Sequence, residues 1–235
     1  MVEARIVLVL DSTGSMKSEP RYSNTITGYN TWLAEMQKEL PEAAFSLIMF
    51  NSFSTDIAHR NARLSDVPEL TSERYVCDGW TPLFEAICKA IEAAEKASSP
   101  DEKVIIAIIT DGEENCSPQP FTLSYVAKRV KEKQNLGWQF IFLGANMDAW
   151  KASAGTAIPQ RSTMSYDAND KEAVLSTCVA TARGMASFAS GQTRSMEFSA
   201  DDLDAAGSDK FAQRPDSEKS PDKKTEPKGT VEIDL

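Results

Sequence analysis

Three short segments of the chain gather carboxylate and hydroxyl oxygens beside predicted strand and helix ends. Asp11 ends the apolar run of "RIVLVLDSTGS", and Thr13 and Ser15 follow at two-residue intervals. Asp111 ends a second apolar run in "KVIIAIITDGEEN", and Thr81 stands in "CDGWTPLFEA" just before a helical pattern. Oxygen ligands that carry few charges suit a hard cation such as Mg²⁺. The residue types therefore favour a cation site if the three segments meet.

Each of these residues also has an ordinary structural explanation. An Asp or Ser after a strand often caps the next helix, and Thr81 before Pro82 fits an N-cap with proline at the first helical position. Asp111 followed by Gly112 fits a simple turn. The combination is less ordinary, because two aspartates brought together without a counter-charge repel each other and one pKa rises. A divalent cation would remove that cost, and hydroxyls would add lone pairs without adding charge.

The elements that must position these oxygens alternate between strands and helices. Strands are predicted for "RIVLVLD", "AAFSLIMFNS", "KVIIAIIT", "WQFIFLGAN" and, at the end, "RSTMSY". Helices are predicted for "NTITGYNTWLAEMQKEL", "TPLFEAICKAIEAAEKA", "TLSYVAKRVKEKQNLG", "DAWKASAG" and "KEAVLSTCVATARGMASFASG". This order predicts an α/β fold with a doubly wound, mostly parallel sheet and helices on both faces. Ligand sites in such sheets lie beyond the carboxyl ends of the strands, where Asp11 and Asp111 stand.

One predicted strand departs from the parallel pattern. The segment "STDIAHRNARL" follows "AAFSLIMFNS" after a very short link and has mixed polarity. A link this short permits a hairpin but not a helical crossover. We therefore expect an antiparallel strand at one edge of the sheet.

Composition bounds the function further. The chain has 235 residues, 41% of them hydrophobic, and a net charge of −10, which disfavours nucleic acid as a partner. Neither an export signal nor a membrane-spanning apolar run is recognisable, so we expect a cytoplasmic protein with no membrane partner. The four cysteines form no C-x-x-C pair and are expected to be reduced, and the single histidine, His59, disfavours a Cys/His zinc site.

The chain changes character near residue 192. Residues 1–191 carry the strand and helix patterns, whereas residues 192–235 are rich in Asp, Ser, Lys, Pro and Gly. We expect an acidic, disordered tail over 192–235, because its few large apolar residues are too sparse for a core of their own. A docking role through Phe198 and Leu203, or through "VEIDL", is the other interpretation.

The oxygen set resembles the metal-ion-dependent adhesion site of von Willebrand factor A (VWA) domains. The first motif of that family is Asp-x-Ser-x-Ser, and here "DSTGS" has Thr13 in place of the first serine. The separate threonine of the second loop matches Thr81, and the aspartate of the third loop matches Asp111. The resemblance covers residues 4–191. It implies a six-stranded sheet with one antiparallel edge strand, in which the three hydroxyls approach the ion directly and the aspartates act directly or through water.

The resemblance also implies a function. A VWA domain of this kind is a non-catalytic, Mg²⁺-dependent protein-binding module, and an Asp or Glu of the partner completes the metal coordination. Mn²⁺ and Ca²⁺ are the alternative ions. Cytoplasmic versions in bacteria and bacteriophages are the most similar, and some act beside an AAA-type ATPase, which is analogy alone. Three weaker candidates for partner contact flank the site: Trp80 as an exposed anchor, and Asp78 and Glu113 as loop acids.

Other functional classes fit the sequence less well. A metal-dependent phosphoryl hydrolase of the haloacid-dehalogenase type needs a second carboxylate two residues after Asp11, where this chain has Thr13. No G-x-x-x-x-G-K-[ST] phosphate-binding loop occurs. A Ser/His/Asp hydrolase would have to use His59, which falls in the predicted edge strand. A scaffold with a purely structural oxygen cluster remains a third interpretation.

Overall fold

Within residues 4–211, which the computed structural model describes, one six-stranded sheet organises the chain. The strands are β1 (Ala4–Asp11), β2 (Ala44–Phe50), β3 (Thr55–Arg63), β4 (Lys103–Thr110), β5 (Gln139–Ala145) and β6 (Thr163–Tyr166). The helices are α1 (Arg21–Glu39), α2 (Leu83–Glu95), α3 (Leu123–Gln134), α4 (Ala149–Ser153), α5 (Lys171–Ala189) and α6 (Ala200–Ala205).

The sheet is doubly wound, with the strand order β3-β2-β1-β4-β5-β6. All neighbouring pairs are parallel except β2 and β3, which are antiparallel. The predicted fold class and the predicted antiparallel edge strand are thus confirmed. The chain winds outwards in opposite directions from β1 and β4, so the switch point lies between these two central strands. Asp11 ends β1, and Asp111 follows β4 directly.

The central strand β1 is buried along its whole length. Ile6 and Leu10 belong to an apolar cluster with residues of α1 and α5, whereas Val7 and Val9 belong to a second cluster with residues of α2 and α3. Because consecutive side chains point to opposite faces, a strand covered on both sides reads as an unbroken apolar run. This two-sided packing fixes the position of Asp11 at the end of the strand.

The start of α2 differs from the capping explanation that the sequence allowed for Thr81. The helix begins at Leu83, and Pro82, not Thr81, is its N-cap residue, with no side-chain capping hydrogen bond of its own. Phe84 N donates instead to Glu114 Oε2 at 2.7 Å. Since the loop after β4 caps the helix, the Thr81 hydroxyl is not engaged in capping.

Residues 192–211, predicted as the beginning of a disordered tail, instead pack onto the domain. Met196, Phe198 and Leu203 are buried, and they extend the cluster beneath α5. Ser199 and Asp202 form a reciprocal capping box at the start of α6. Few apolar residues suffice here because they cover existing apolar surface rather than build a separate core. The expectation for residues 212–235, including "VEIDL", lies outside the described residues.

The cysteines and the helix lengths are the remaining features of the described residues that the sequence analysis considered. All four cysteines are free: Cys77 and Cys88 are buried, Cys178 is half-buried and Cys116 is exposed. Among the helices within residues 4–211, none has the length and apolar character needed to cross a membrane.

Candidate metal centre

Asp11 is held rigidly at the carboxyl end of β1. Its residue surface is 0% exposed, Thr13 N donates to Oδ1 at 2.7 Å, and Thr110 Oγ1 donates to Oδ2 at 2.6 Å. The hydroxyl of Tyr75 donates to the Asp11 carbonyl oxygen at 2.6 Å. Burial raises the pKa of Asp11 to about 6, and the hydrogen bonds from Thr110 and Thr13 oppose that rise. The carboxylate therefore lacks a full counter-charge in its pocket.

A line of hydroxyl groups joins the first loop to Asp111. Ser15 Oγ donates to Asp111 Oδ1 at 2.6 Å, and Thr13 Oγ1 lies 3.1 Å from Ser15 Oγ. A serine hydroxyl has one proton, so the proton in the second contact comes from Thr13. Both hydroxyl oxygens consequently keep lone pairs for a further partner.

The second loop reaches the first through backbone pairing. Asp78 N donates to Ser12 O at 3.0 Å, and Gly14 N donates to Gly79 O at 3.0 Å. Gly79 has a φ of +74°, and a Cβ at this position would lie 2.5 Å from Ser52 Oγ. A side chain there would therefore push the loops apart. This pairing brings the segment that carries Thr81 against the loop that carries Thr13 and Ser15.

Thr81 is fixed from the other side by the loop after β4. Thr81 N donates to Asn115 Oδ1 at 2.9 Å, and Asn115 N donates to Thr81 O at 3.1 Å. A Cβ on Gly112 would lie 3.0 Å from Thr81 Oγ1, so only glycine leaves this hydroxyl uncrowded. Thr81 is 4% exposed. The structure thus places the Thr81 hydroxyl beside the residue that follows Asp111.

Glu114 organises the loop that contains Asp111 and Asn115. Its Oε1 accepts from Cys116 N at 2.8 Å and from Ser117 N at 2.6 Å, while its Oε2 accepts from Phe84 N. Sequence reasoning did not single out Glu114 or Asn115. Glu114 contacts Phe84 N and Asn115 contacts Thr81 N, and both of these backbone groups are remote along the chain. The only sequence signal for the two residues is their polar character after a strand.

Arg21 is a positively charged side chain that contacts Asp111, and the sequence analysis did not identify it. Its Nη1 lies 2.6 Å from Asp111 Oδ2, and the Asp111 side chain is fully buried. Burial raises the pKa of Asp111, whereas the hydrogen bond from Ser15 and the charge of Arg21 lower it, and burial is the larger effect. The contact is an ion pair without hydrogen-bond alignment: within the described part of the chain, neither Asp111 Oδ2 nor Arg21 Nε has a hydrogen-bond partner.

The three weaker candidates are surface residues around this centre. Trp80 is 69% exposed, and its backbone N donates to Ser52 Oγ at 3.0 Å. Asp78 is exposed and accepts from Gly79 N at 2.7 Å. Glu113 is exposed and forms a 3.4 Å ion pair with Lys151, itself exposed. Asp78 and Glu113 are therefore exposed loop residues whose carboxylates each have a contact in the structure.

Two further exposed apolar side chains lie in the neighbouring loops. Phe53 is 75% exposed and Val76 is 66% exposed. A Cβ on Gly79 would lie 2.9 Å from the Phe53 ring, so Phe53 covers the residue next to Trp80. The sequence analysis found Trp80 but not Phe53, because a single phenylalanine in a hairpin link carries no periodic signal.

The donor set fits a hard divalent cation held partly by hydroxyl groups. Within the described residues the buried oxygen Asp111 Oδ2 accepts no hydrogen bond, and the hydroxyl oxygens of Thr13 and Ser15 have lone pairs available for a cation. Residues 4–211 contain no cluster of three or more His, Cys, Asp or Glu able to hold a metal. The arrangement to consider is therefore the two-carboxylate, three-hydroxyl set.

His59 lies away from this centre, as the sequence indicated. It is half-buried in β3, where its ring centroid is 6.4 Å from that of Phe45. Burial and the nearby Arg74 lower the pKa of His59. The histidine therefore packs against Phe45 at the edge of the sheet.

No protein-family model matches the chain, and no curated protein matches it either. Solved structures do match. The minor pilin PilB from Streptococcus sanguinis has a TM-score of 0.62 and 13% identity, over 79% of this chain and 61% of its own. The von Willebrand factor type A protein from Catenulispora acidiphila has a TM-score of 0.55 and 16% identity, over 79% of this chain and 43% of its own.

One of the matching structures is an isolated VWA domain, and the match covers nearly the whole length of that domain. The SpRpn10 VWA domain has a TM-score of 0.54 and 13% identity, and the match covers 76% of this chain and 95% of that domain. The chain spans less than two thirds of the PilB minor pilin and of the Catenulispora acidiphila protein. Identities this low establish the fold and nothing finer. The chain therefore has a VWA-like fold, with a six-stranded, mostly parallel sheet between helices.

Proposed function

We propose that the chain is a non-catalytic, Mg²⁺-dependent protein-binding module. Five residues of the chain would hold the ion: Asp11, Thr13, Ser15, Thr81 and Asp111. An Asp or Glu of a protein partner would complete the coordination. The observation that carries this proposal is the hydrogen-bonded line from Thr13 through Ser15 to Asp111 Oδ1. The other oxygen, Oδ2, is buried beside Arg21 Nη1 and accepts no hydrogen bond within residues 4–211. A site assembled in this way is organised before any ligand arrives.

The charges favour a divalent ion. Two aspartates balance two positive charges, and the hydroxyls complete the shell without adding charge. Mg²⁺ uses one or two carboxylates and keeps exchangeable positions, with Mn²⁺ and Ca²⁺ as alternatives. Such an ion supplies a Lewis-acidic point that an external carboxylate can reach.

The surroundings of the centre favour a protein as the partner. Phe53, Val76 and Trp80 are among the most exposed large apolar side chains of residues 4–211, and all three lie in the loops around the centre. Exposed apolar patches mark interaction surfaces, and aromatic residues dominate binding energy at protein interfaces. A small phosphorylated substrate would gain little binding energy from these exposed apolar side chains.

A metal-dependent phosphoryl hydrolase is the alternative that uses the same oxygens. That chemistry needs an acid or base free to move a proton. Each oxygen of the Asp11 carboxylate already accepts a hydrogen bond, from Thr13 N and from Thr110 Oγ1, and the position two residues later is a threonine rather than a second carboxylate. Turnover of p-nitrophenyl phosphate with Mg²⁺, abolished in Asp11→Asn, would establish the hydrolase and exclude the binding module.

The proposal has two finer parts, the cellular setting of the protein and a role as an adaptor. The four free thiols are consistent with a reducing, cytoplasmic setting. A role as an adaptor for an AAA-type ATPase, in a bacterial or bacteriophage protein, is proposed by analogy with similar VWA domains alone. A membrane or nucleic-acid partner is not part of the proposal.

The experiment that tests this function compares capture by the immobilised wild-type chain with Mg²⁺ and with chelator, using lysate of the native cell. The proposal expects a protein that is retained only with Mg²⁺ and is lost on Asp111→Asn. Glu132→Gln is the matched control, because it removes an exposed carboxylate from α3, outside the loops of the centre. Equal capture by the wild type with and without Mg²⁺ would contradict the proposal.

A further inference from the structure

The Arg21–Asp111 contact is an unusual ion pair. The Asp111 side chain has no exposed surface and that of Arg21 is 17% exposed, with 2.6 Å between Nη1 and Oδ2. A pair this close and this buried normally gains aligned hydrogen bonds, because these offset the cost of desolvation. Here Asp111 Oδ2 and Arg21 Nε both lack a hydrogen-bond partner within the described residues. The arginine supplies charge but leaves the acceptor unsatisfied.

The position of Arg21 in its helix is also unfavourable locally. Arg21 is the first residue of α1, and the first turn of this helix contains no acidic residue. The amino end of a helix carries partial positive charge, so an arginine there loses free energy that an aspartate or serine would gain. A local conflict of this kind is expected where another function retains the residue. The function available to Arg21 is its contact with Asp111.

A divalent cation would meet Arg21 at the same carboxylate. Oδ1 of Asp111 accepts a hydrogen bond from Ser15, so Oδ2 is the oxygen with more free acceptor capacity for a metal or its water, and Arg21 already contacts it. With Arg21 in place, the two aspartates and the guanidinium sum to one negative charge, and a divalent ion would overcompensate it. Close like charges repel strongly in a buried setting. The side chain of Arg21 is long and partly exposed, so it can withdraw.

We propose that Arg21 competes with the metal for Asp111 and thereby sets the affinity of this centre for divalent cations. This inference rests on the proposed function. Arg21 keeps Asp111 compensated when no metal is bound, and its withdrawal is part of the cost of loading the metal. Arg21 is a residue that tunes affinity, not one of the five ligands.

The experiment is a calorimetric titration of chelator-treated protein with MgCl₂. Arg21→Gln removes the charge, and Arg21→Lys keeps it. Arg161→Gln is the matched control, because Arg161 pairs with Glu197 on the surface and is 62% exposed. Circular dichroism verifies folding, and Arg21→Met, which keeps most of the aliphatic stem, is the second neutral variant should Arg21→Gln be unstable.

The proposal expects Arg21→Gln and Arg21→Met to bind Mg²⁺ about tenfold more tightly than the wild type, or better. Arg21→Lys should stay near the wild type, and Arg161→Gln should match it. Unchanged affinity in the neutral variants would overturn the competition. Weaker binding in them would overturn it too, since Arg21 would then position Asp111 for the metal.

Failure of the proposed function has a different signature. If neither the wild type nor any Arg21 variant binds Mg²⁺, Mn²⁺ or Ca²⁺, the metal site itself is refuted, and the competition with it. If the wild type binds and the neutral variants bind no tighter, only the role of Arg21 is refuted.

Discussion

Ser15 Oγ donates a 2.6 Å hydrogen bond to Asp111 Oδ1, across 96 residues of sequence. This single contact joins the loop after β1 to the loop after β4, at the switch point of the sheet. It orients one carboxylate oxygen towards Ser15 and leaves the other facing Arg21. The loops of the centre are thus assembled by the protein itself. The oxygens are therefore preorganised for a ligand by contacts within the protein.

The hydroxyl of Thr13 can be tested with a matched pair of variants. Thr13→Ser keeps the hydroxyl, as in the first motif of the VWA family, and should retain Mg²⁺ affinity. Thr13→Val keeps the shape but removes the oxygen, and we expect affinity to fall about tenfold or more, since even supporting groups have effects of that size. Calorimetric titration with MgCl₂ measures both. Equal affinities in the two variants would remove Thr13 from the ligand set.

The Asp11 carboxylate makes the metal-free protein sensitive to pH. Its folded pKa of about 6 exceeds the ordinary aspartate value of 3.8, so the folded state holds this proton more tightly than the unfolded state. Ionised Asp11 therefore lowers stability above about pH 6, and this cost disappears as the pH falls towards about 4. In chelator at about pH 8, Asp11→Asn should be more stable than the wild type by about 3 kcal/mol, which corresponds to the shift in pKa.

Urea unfolding of both proteins across this pH range measures that difference. The gap should narrow as the pH falls through about 6, because the wild-type carboxyl becomes neutral there. An Asp11→Asn protein that is less stable than the wild type at about pH 8 would show that Asp11 is stabilised as the anion, contrary to this account.

Asn115 should matter through Thr81. Asn115→Ala removes the acceptor for Thr81 N, and the segment that carries the hydroxyl should loosen. We expect Mg²⁺ affinity to fall about tenfold, as for other supporting groups around metals, with a modest loss of stability. Asn135→Ala, at an exposed helix end, is the control. A wild-type affinity in Asn115→Ala would mean that Thr81 does not need this support.

The packing of residues 192–211 gives a stability prediction. Leu203 is 1% exposed in α6, and Leu203→Ala should lower the free energy of unfolding by about 2–4 kcal/mol. Leu136, at 68% exposure, supplies the control, since Leu136→Ala removes a side chain that faces solvent. Chemical denaturation compares them. Equal effects would indicate that α6 does not pack as described.

The sequence predicted the fold well for a physical reason. Strands buried on both faces must be continuously apolar, and the hairpin link to β3 is too short for a crossover, so both features are local in the chain. The sequence singled out Phe198 and Leu203 for a docking role, as the alternative to a disordered tail. The surface on which they pack could not be predicted, because α5 and β6 present it only after folding. Without knowledge of that surface, a segment with sparse apolar residues is predicted to be a disordered tail.

The candidate site was predictable in part for the same reason. Asp11 and Asp111 follow predictable strands, and the structure brings their loops together as expected. Arg21, Asn115 and Glu114 were missed, because the contacts that tie them to Asp111, Thr81 and Phe84 join residues remote in sequence. A basic residue at the start of a helix was the one available signal, since it opposes the helix dipole.

The central claim is that Asp111 helps to hold a divalent cation. The direct measurement is a calorimetric titration of chelator-treated wild type and Asp111→Asn with MgCl₂, both verified as folded. The asparagine keeps an acceptor for Ser15 but loses the charge. We expect one Mg²⁺ site in the wild type and affinity weaker by about a hundredfold or more in the variant. Equal affinities, or no binding by the wild type, would contradict the account.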